Sequence, residues 1–166
     1  MHVWLIRHAK SAWSQPGLTD FDRPLNARGE RDGPVMADWL SRQSDLPTWI
    51  WSSDAVRART TAGFVHAVLP DAELQTDHRL YHAGPETILN LIRATPQGVN
   101  SVAIVAHNPG LTQMCNLLCA TARINNLPTF GVTRFETQST LADLQFGGAE
   151  ITLLQTPKRL NAETDN

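Results

Sequence analysis

Arg7 and His8 stand side by side after a short apolar run, His2 to Ile6, and arginines and histidines recur behind two later apolar runs. Trp49 to Trp51 leads into Ser52-Ser53-Asp54-Ala55-Val56-Arg57-Ala58-Arg59-Thr60-Thr61, and Ser101 to Ala106 leads into His107-Asn108-Pro109-Gly110. A guanidinium offers paired donors that match phosphate oxygens. Two of them with a protonated histidine can neutralise a dianion and follow its charge into a transition state. A further imidazole, kept neutral by neighbouring cations and shielding from water, is then free to attack phosphorus. These residue types describe a pocket for a phosphoryl group.

Such residues act together only if their elements deliver them to one rim. Val35, Met36, Trp39 and Leu40 recur at helical spacing within Ala27 to Arg42, so a strand at His2 to Ile6 is followed by a helix. The unit repeats. Trp49 to Trp51 reads as a buried strand, and Asp54 to Val68 as a helix capped by Ser52, Ser53 or Asp54. Glu73 to Thr76 reads as a weak strand, Pro85 to Ala94 as a helix opened by proline, and Ser101 to Ala106 as a fully buried strand leading into a helix over Pro109 to Ala120. Phe130 to Glu136 and Ala149 to Gln155, the latter after the turn Gly147-Gly148, read as a hairpin-type edge. Strands alternating with helices predict an α/β three-layer sandwich, its central sheet mostly parallel and covered by helices on both faces. In such sheets ligands collect at the carboxyl ends of the strands, which is where the arginines and histidines fall.

The chain has 166 residues, the size of one domain: residues 1–156 form it, and the polar stretch 157–166 is expected to be a frayed tail. A net charge of -2 from 14 basic and 16 acidic residues gives no footprint for nucleic acid or an anionic membrane. No segment approaches the roughly 20 apolar residues of a membrane helix, and the expected location is the cytoplasm. Cys115 and Cys119 share a helix face and read as small core residues. His78 and His82 have metal-pair spacing, but Gly84 and Pro85 follow at once and no cysteine or carboxylate joins them, so no metal is expected. Without a G-x-G-x-x-G or a Walker-type loop, no dinucleotide or nucleotide cofactor is expected either.

Four blocks in order resemble the histidine phosphatase superfamily, the phosphoglycerate-mutase-like enzymes, and within it the short SixA-type phosphohistidine phosphatases. L-I-R-H-A-K-S-A-W is similar to the family's R-H-G signature with Ala9 in the glycine position. R-P-L-N-A-R-G at Arg23 to Gly29 resembles the opening of the first helix, and W-S-S-D-A-V-R-A-R-T-T at Trp51 to Thr61 resembles S-x-x-x-R-A-x-x-T. V-A-H-N-P-G at Val105 to Gly110 resembles the second-histidine motif. The resemblance implies a phosphoglycerate-mutase-like fold and a phosphatase with His8 as nucleophile, Arg7 and Arg57 binding phosphate and His107 completing the pocket. Arg59, two residues from Arg57, points elsewhere on a helix and is assigned to the surface.

Many family members carry a glutamate after the third strand as general acid. This chain has L-Y-H-A-G-P-E at Leu80 to Glu86, with no carboxylate before the helix. Asp20 and Asp22 are the alternatives, since SixA-type proteins are acidic there; Asp20 is preferred, against the reading that these carboxylates only pair with Arg23 or cap the next helix. Ser11 and Arg23 are candidate phosphate ligands, Ser11 equally a turn cap, and Trp13 is expected to pack within its loop rather than wall the pocket. An imidazole leaves more easily than an alkoxide, and the chain has no room for a large lid. The expected partner is therefore a phosphorylated protein bearing phosphohistidine, with a small phosphorylated metabolite or a non-catalytic phosphate-binding module as alternatives.

Overall fold

A computed structural model describes residues 1–13 and 15–164. Its centre is a six-stranded sheet built from β1 (His2–Arg7), β2 (Trp49–Ser52), β3 (Glu73–Thr76), β4 (Ser101–Ala106), β5 (Val132–Glu136) and β6 (Glu150–Gln155), in the order β3-β2-β4-β1-β5-β6. The first four strands run parallel, while β5 is antiparallel to both β1 and β6. This is the mostly parallel sheet with a hairpin-type edge that strand-helix alternation predicts.

Side-chain alternation along β1 and β4 divides the core in two. Val3, Leu5, Val102, Ile104 and Ala106 face α3 (Pro85–Arg93) and α4 (Gly110–Leu118), meeting Ile88, Leu91, Leu111 and Met114. Trp4, Ile6, Ala103 and Val105 face α1 (Ala27–Ser41) and α2 (Val56–Val68), meeting Met36, Leu40, Ala58 and Val65. A strand apolar on both faces needs a helix layer on each, because every fully buried Leu, Ile or Val contributes about 1.5–3 kcal/mol. All six residues of β4 are accordingly buried. Cys115 and Cys119 are free thiols in the first cluster, as expected of core residues.

Two boundaries differ from the sequence reading. Helix α2 starts at Val56 with Ala55 as its cap residue and no capping side chain, rather than being capped by Ser52, Ser53 or Asp54. The free Val56 N–H donates instead to the Phe21 carbonyl, 3.1 Å away in the β1–α1 connection. The stretch read as a frayed tail contains α5 (Pro157–Thr164), with Leu160 packed on the α1-side core; residues 165 and 166 lie outside the described residues. Thr156 Oγ1 accepts from the Arg159 N–H at 3.2 Å, and proline occupies the first helical position. That Thr-Pro start signal was present in a segment whose polarity argued for a tail. No described helix is long and apolar enough to cross a membrane.

Candidate active site

Three neighbouring strands, β2, β4 and β1, end at one rim, and each delivers a different group. β1 ends on Arg7 and passes into His8; β4 passes into His107; β2 passes through Ser53 into the first turn of α2, which carries Arg57. The β1–α1 connection folds over the rim and adds Ser11, Trp13, Asp20 and Arg23. Together they line a cavity of about 270 Å³. All seven residues proposed from the sequence therefore meet: Arg7, His8, Ser11, Asp20, Arg23, Arg57 and His107. Arg59 is exposed on the surface, as assigned.

Two motif glycines make this convergence possible by close approach. A Cβ on Gly29 would lie 2.2 Å from the Lys10 carbonyl oxygen, so the first turn of α1 can sit against the loop after His8 only without a side chain. A Cβ on Gly110 would lie 1.9 Å from the Ala83 carbonyl oxygen. Glycine there lets the β3–α3 connection rest on the start of α4, beside His107.

His8 is buried, and its Nδ1 lies 2.7 Å from the Ala9 carbonyl oxygen. A carbonyl only accepts, so in the neutral ring Nδ1 carries the proton and Nε2 keeps its lone pair. Burial, seconded by Arg57, Arg7 and Arg23, pushes this imidazole down to about 3, although the Ala9 carbonyl works in the opposite direction. Neighbouring cations and shielding from water were together expected to keep it neutral; shielding is the larger cause. The Ala9 N–H in turn donates to Thr61 Oγ1 at 2.9 Å, and that hydroxyl donates to the Arg57 carbonyl at 2.7 Å. One threonine thus ties the His8 loop to the turn that carries Arg57.

His107 Nε2 lies 2.8 Å from Ser53 Oγ. Burial, then the His8 and Arg57 charges, push its pKa down to about 3. It is a neutral imidazole and not the protonated partner expected from the sequence, because burial disfavours its charged form by more than the Asp20 charge favours it. Its ring centroid is 5.1 Å from that of His8. Arg7 Nη1 donates to the Leu127 carbonyl at 2.8 Å, and Asn108 Nδ2 donates to the same oxygen at 2.9 Å, fixing both loops to one point. Arg7 Nε, Arg57 Nε and His107 Nδ1 are buried without a partner among the described residues. Unpaired buried polar groups cost about 1–3 kcal/mol each; these three belong to the groups that surround the cavity, while His2 Nδ1 and Trp49 Nε1 are likewise unpartnered away from it.

Asp20 enters the site, but as a carboxylate. Its Oδ2 accepts from Arg57 Nη2 at 3.0 Å and from the Tyr81 hydroxyl at 2.7 Å, its Oδ1 from Arg23 Nε at 3.0 Å, and its own carbonyl from Arg57 Nη1. Partial desolvation works to raise its pKa, yet Tyr81, Arg57 and Arg23 outweigh it and hold the carboxyl well below the usual carboxylate range. In this state Asp20 is the anion that the arginines grip and not a proton donor, so both the acid expected there and the pairing with Arg23 weighed against it bear on one side chain. Asp22 instead accepts from the Thr19 hydroxyl at 2.7 Å.

Ser11 Oγ accepts from Arg23 Nη1 at 2.9 Å, so it positions that arginine. The Arg23 guanidinium also stacks 3.6 Å from the Trp13 ring centroid. Trp13 was expected to pack inside its loop but is 75% exposed, drawn to the cavity mouth by a cation already anchored on Asp20 and Ser11. Several residues were missed by the sequence reading. Ser53, Thr61 and Asn108 lay inside recognised blocks, where their side chains could have been asked for partners. Tyr81 and His82 lay in L-Y-H-A-G-P-E, where only a carboxylate was sought, and His82 was weighed only as half of a metal pair with His78.

Residues 3–83 match the family profile described as histidine phosphatase superfamily, branch 1. An uncharacterized protein of Mycobacterium tuberculosis is 30% identical over 162 residues, covering 92% of this chain and 100% of that protein. The SixA structure from Agrobacterium tumefaciens superposes with a TM-score of 0.81 at 29% identity, covering 94% of this chain and 97% of that one. The structure of the protein histidine phosphatase SixA with tungstate, at 22% identity, shares the fold with a TM-score of 0.82 over 96% of this chain and 99% of that one. By the order of its blocks, its full-length relative and its fold, the chain belongs to the histidine phosphatase superfamily, branch 1.

Proposed function

We propose that this protein is a phosphatase that moves a phosphoryl group onto His8 and then to water, acting on phosphohistidine carried by a protein. Membership of the superfamily and the likeness to SixA proteins support a hydrolase of phosphorylated compounds. The observation that carries the mechanism is His8 itself: Nδ1 is committed to the Ala9 carbonyl, which leaves Nε2 as the lone pair in a cavity lined by Arg7 and Arg57. Nε2 attacks phosphorus in line, Arg7, Arg57 and His107 hold the equatorial oxygens, and the leaving nitrogen departs opposite His8. Water then attacks the phosphorylated His8. Arg23, steadied by Ser11 and Trp13, reaches the phosphoryl group once Asp20 lets go of it. The scheme calls on no metal or cofactor.

The leaving-group preference follows from the lack of a carboxylic acid. Held ionised by Tyr81 and two arginines, Asp20 cannot protonate a departing alkoxide in the resting site, whereas an imidazole departs with help from a weaker acid than an alkoxide needs. The cavity is lined by the exposed side chains of Trp13 and His82, so a histidine on a protein surface can reach it. Acid-quenched reactions with labelled phosphohistidine peptide should trap an acid-labile phosphoenzyme, and His8→Ala should abolish both the adduct and turnover. Active wild type without an adduct would sink the covalent scheme. Comparing kcat/KM for that peptide with a panel of sugar phosphates and nucleotides tests the substrate class, since a strong metabolite preference contradicts it. Binding of phosphate analogues without any turnover would make the protein a binding module.

A further inference from the structure

His82 is a cavity residue that the phosphatase scheme leaves without work, and its surroundings give it some. It lies in the β3–α3 connection and lines the same cavity as His8. Its backbone sits at φ 56°, a left-handed conformation uncommon for a residue with a side chain, which the fold must hold in place. Gly110, packed directly under the Ala83 carbonyl, fixes the height of that connection above the β4–α4 loop. The His82 ring stacks on Tyr81 with centroids 4.0 Å apart and lies 6.1 Å from the His107 ring. Its Nε2 is 3.5 Å from Asp20 Oδ2.

A group that gives a proton to the leaving atom must titrate near working pH and must not already be committed to holding phosphate. Histidine is the side chain whose ordinary range spans neutrality, whereas guanidinium groups hold their protons too firmly. His8 is the nucleophile, His107 is turned onto Ser53, and Asp20 is ionised. We propose that His82, held by the Asp20 carboxylate, is the proton donor and acceptor of the reaction. The role rests on the phosphohistidine phosphatase reading above.

The two half-reactions balance through it. In the first, His8 Nε2 forms a bond to phosphorus while the bond from phosphorus to the leaving nitrogen breaks. The electron pair stays on that nitrogen, which takes the proton of the His82 imidazolium. In the second, water oxygen bonds to phosphorus as the phosphorus–Nε2 bond breaks, the pair returns to His8, and the water proton goes to neutral His82. Asp20 serves as the counter-ion that keeps the imidazolium at the cavity. The charged and titratable groups facing His82 are Asp20 from the β1–α1 connection, Tyr81 beside it and His107 across the cavity, with Arg57 behind Asp20.

His82→Gln keeps the size and polarity of an exposed side chain and removes the proton, so the fold should be intact by thermal unfolding. The kcat/KM reports only steps up to the phosphoenzyme, and 4-nitrophenyl phosphate leaves as a stable anion without a proton. The variant should lose about a hundredfold on phosphohistidine peptide, the range of general acid catalysis, but under tenfold on 4-nitrophenyl phosphate. The alkaline limb of the wild-type pH profile on the peptide should vanish with it. Equal losses on both substrates, or none on either, overturn the role of His82 and leave the phosphatase reading standing. A wild type inert toward the peptide overturns the substrate reading and this role together.

Discussion

The central strands β2, β4 and β1 end in cavities at both ends, and the two differ in kind. At the amino ends, a cavity of about 570 Å³ is lined by His2, Asp45 and Ser101 among others. Its polar groups largely answer one another. The buried Trp4 Nε1 donates to the Asp45 carbonyl at 3.1 Å and to Ser101 Oγ at 3.2 Å, and Ser101 Oγ donates to that same carbonyl at 2.7 Å. The Asp45 carboxylate meets His2 at 3.4 Å and Arg134 at 3.6 Å. At the carboxyl ends the cavity is smaller, about 270 Å³, yet Arg7, Arg23 and Arg57 face it with the single carboxylate of Asp20 among the residues lining it. Two buried imidazoles are held neutral there. Volume therefore does not mark the functional end; an excess of positive charge over the one carboxylate that partners it does. Such an arrangement is costly to the fold and is explained by a ligand of opposite charge.

Substitutions at the two ends should separate turnover from stability. Arg57→Ala removes a guanidinium from the carboxyl-end cavity and should lower kcat/KM on the order of 10²–10³-fold, the cost of one oriented donor to a charged transition state. Steady-state kinetics on the phosphohistidine peptide check this, and a loss below tenfold would mean that Arg57 serves Asp20 rather than substrate. Next in size is a pH effect on stability. His8 and His107 titrate near 6.5 when unfolded and near 3 when folded, so between these values the unfolded chain binds protons that the native state refuses. Stability should thus fall as pH drops below 6.5, by roughly 2 kcal/mol per histidine at pH 5. Urea unfolding of wild type and the His8→Gln/His107→Gln double variant at pH 7.5 and 5 should show that drop much reduced in the variant; parallel losses would refute it. The smallest effect is expected at the amino end. Ser101→Ala should cost about 1 kcal/mol of unfolding free energy, because Trp4 Nε1 keeps its bond to the Asp45 carbonyl when the two bonds of the Ser101 hydroxyl are lost, with kcat/KM unchanged. A kinetic effect there would erase the distinction between the two ends.

The legibility of the chain follows the same division. β4 announces itself because S-V-A-I-V-A has no polar face to expose, and β1 is nearly as plain. The cap of α2 was not legible, since Ser53, a good capping residue by type, is spent on His107 and the Ala55 N–H. Helix α5 was misread because its composition is polar, while what holds it is Leu160 against the core of another layer. In the site, Arg7, His8 and His107 were legible because each sits at the end of an apolar strand or directly after it, and Arg57 because it lies in a recognised block behind another. Trp13 was not, because its exposure is set by an arginine ten residues later in the chain.

The sequence by itself determined which side chains gather at the rim: strand-helix alternation sends the carboxyl ends of the four parallel strands to the same side, and the motif residues sit at fixed offsets from those ends. The tertiary structure decided their chemical states. Which nitrogen of His8 keeps its lone pair depends on the Ala9 carbonyl, and whether His8 and His107 are charged depends on how much water the packed layers exclude. Whether Asp20 is an acid or a counter-ion depends on Arg57, Arg23 and Tyr81, which reach it from three different parts of the chain. Burial and long-range charge are properties of assembled layers, and no local pattern of residues encodes them.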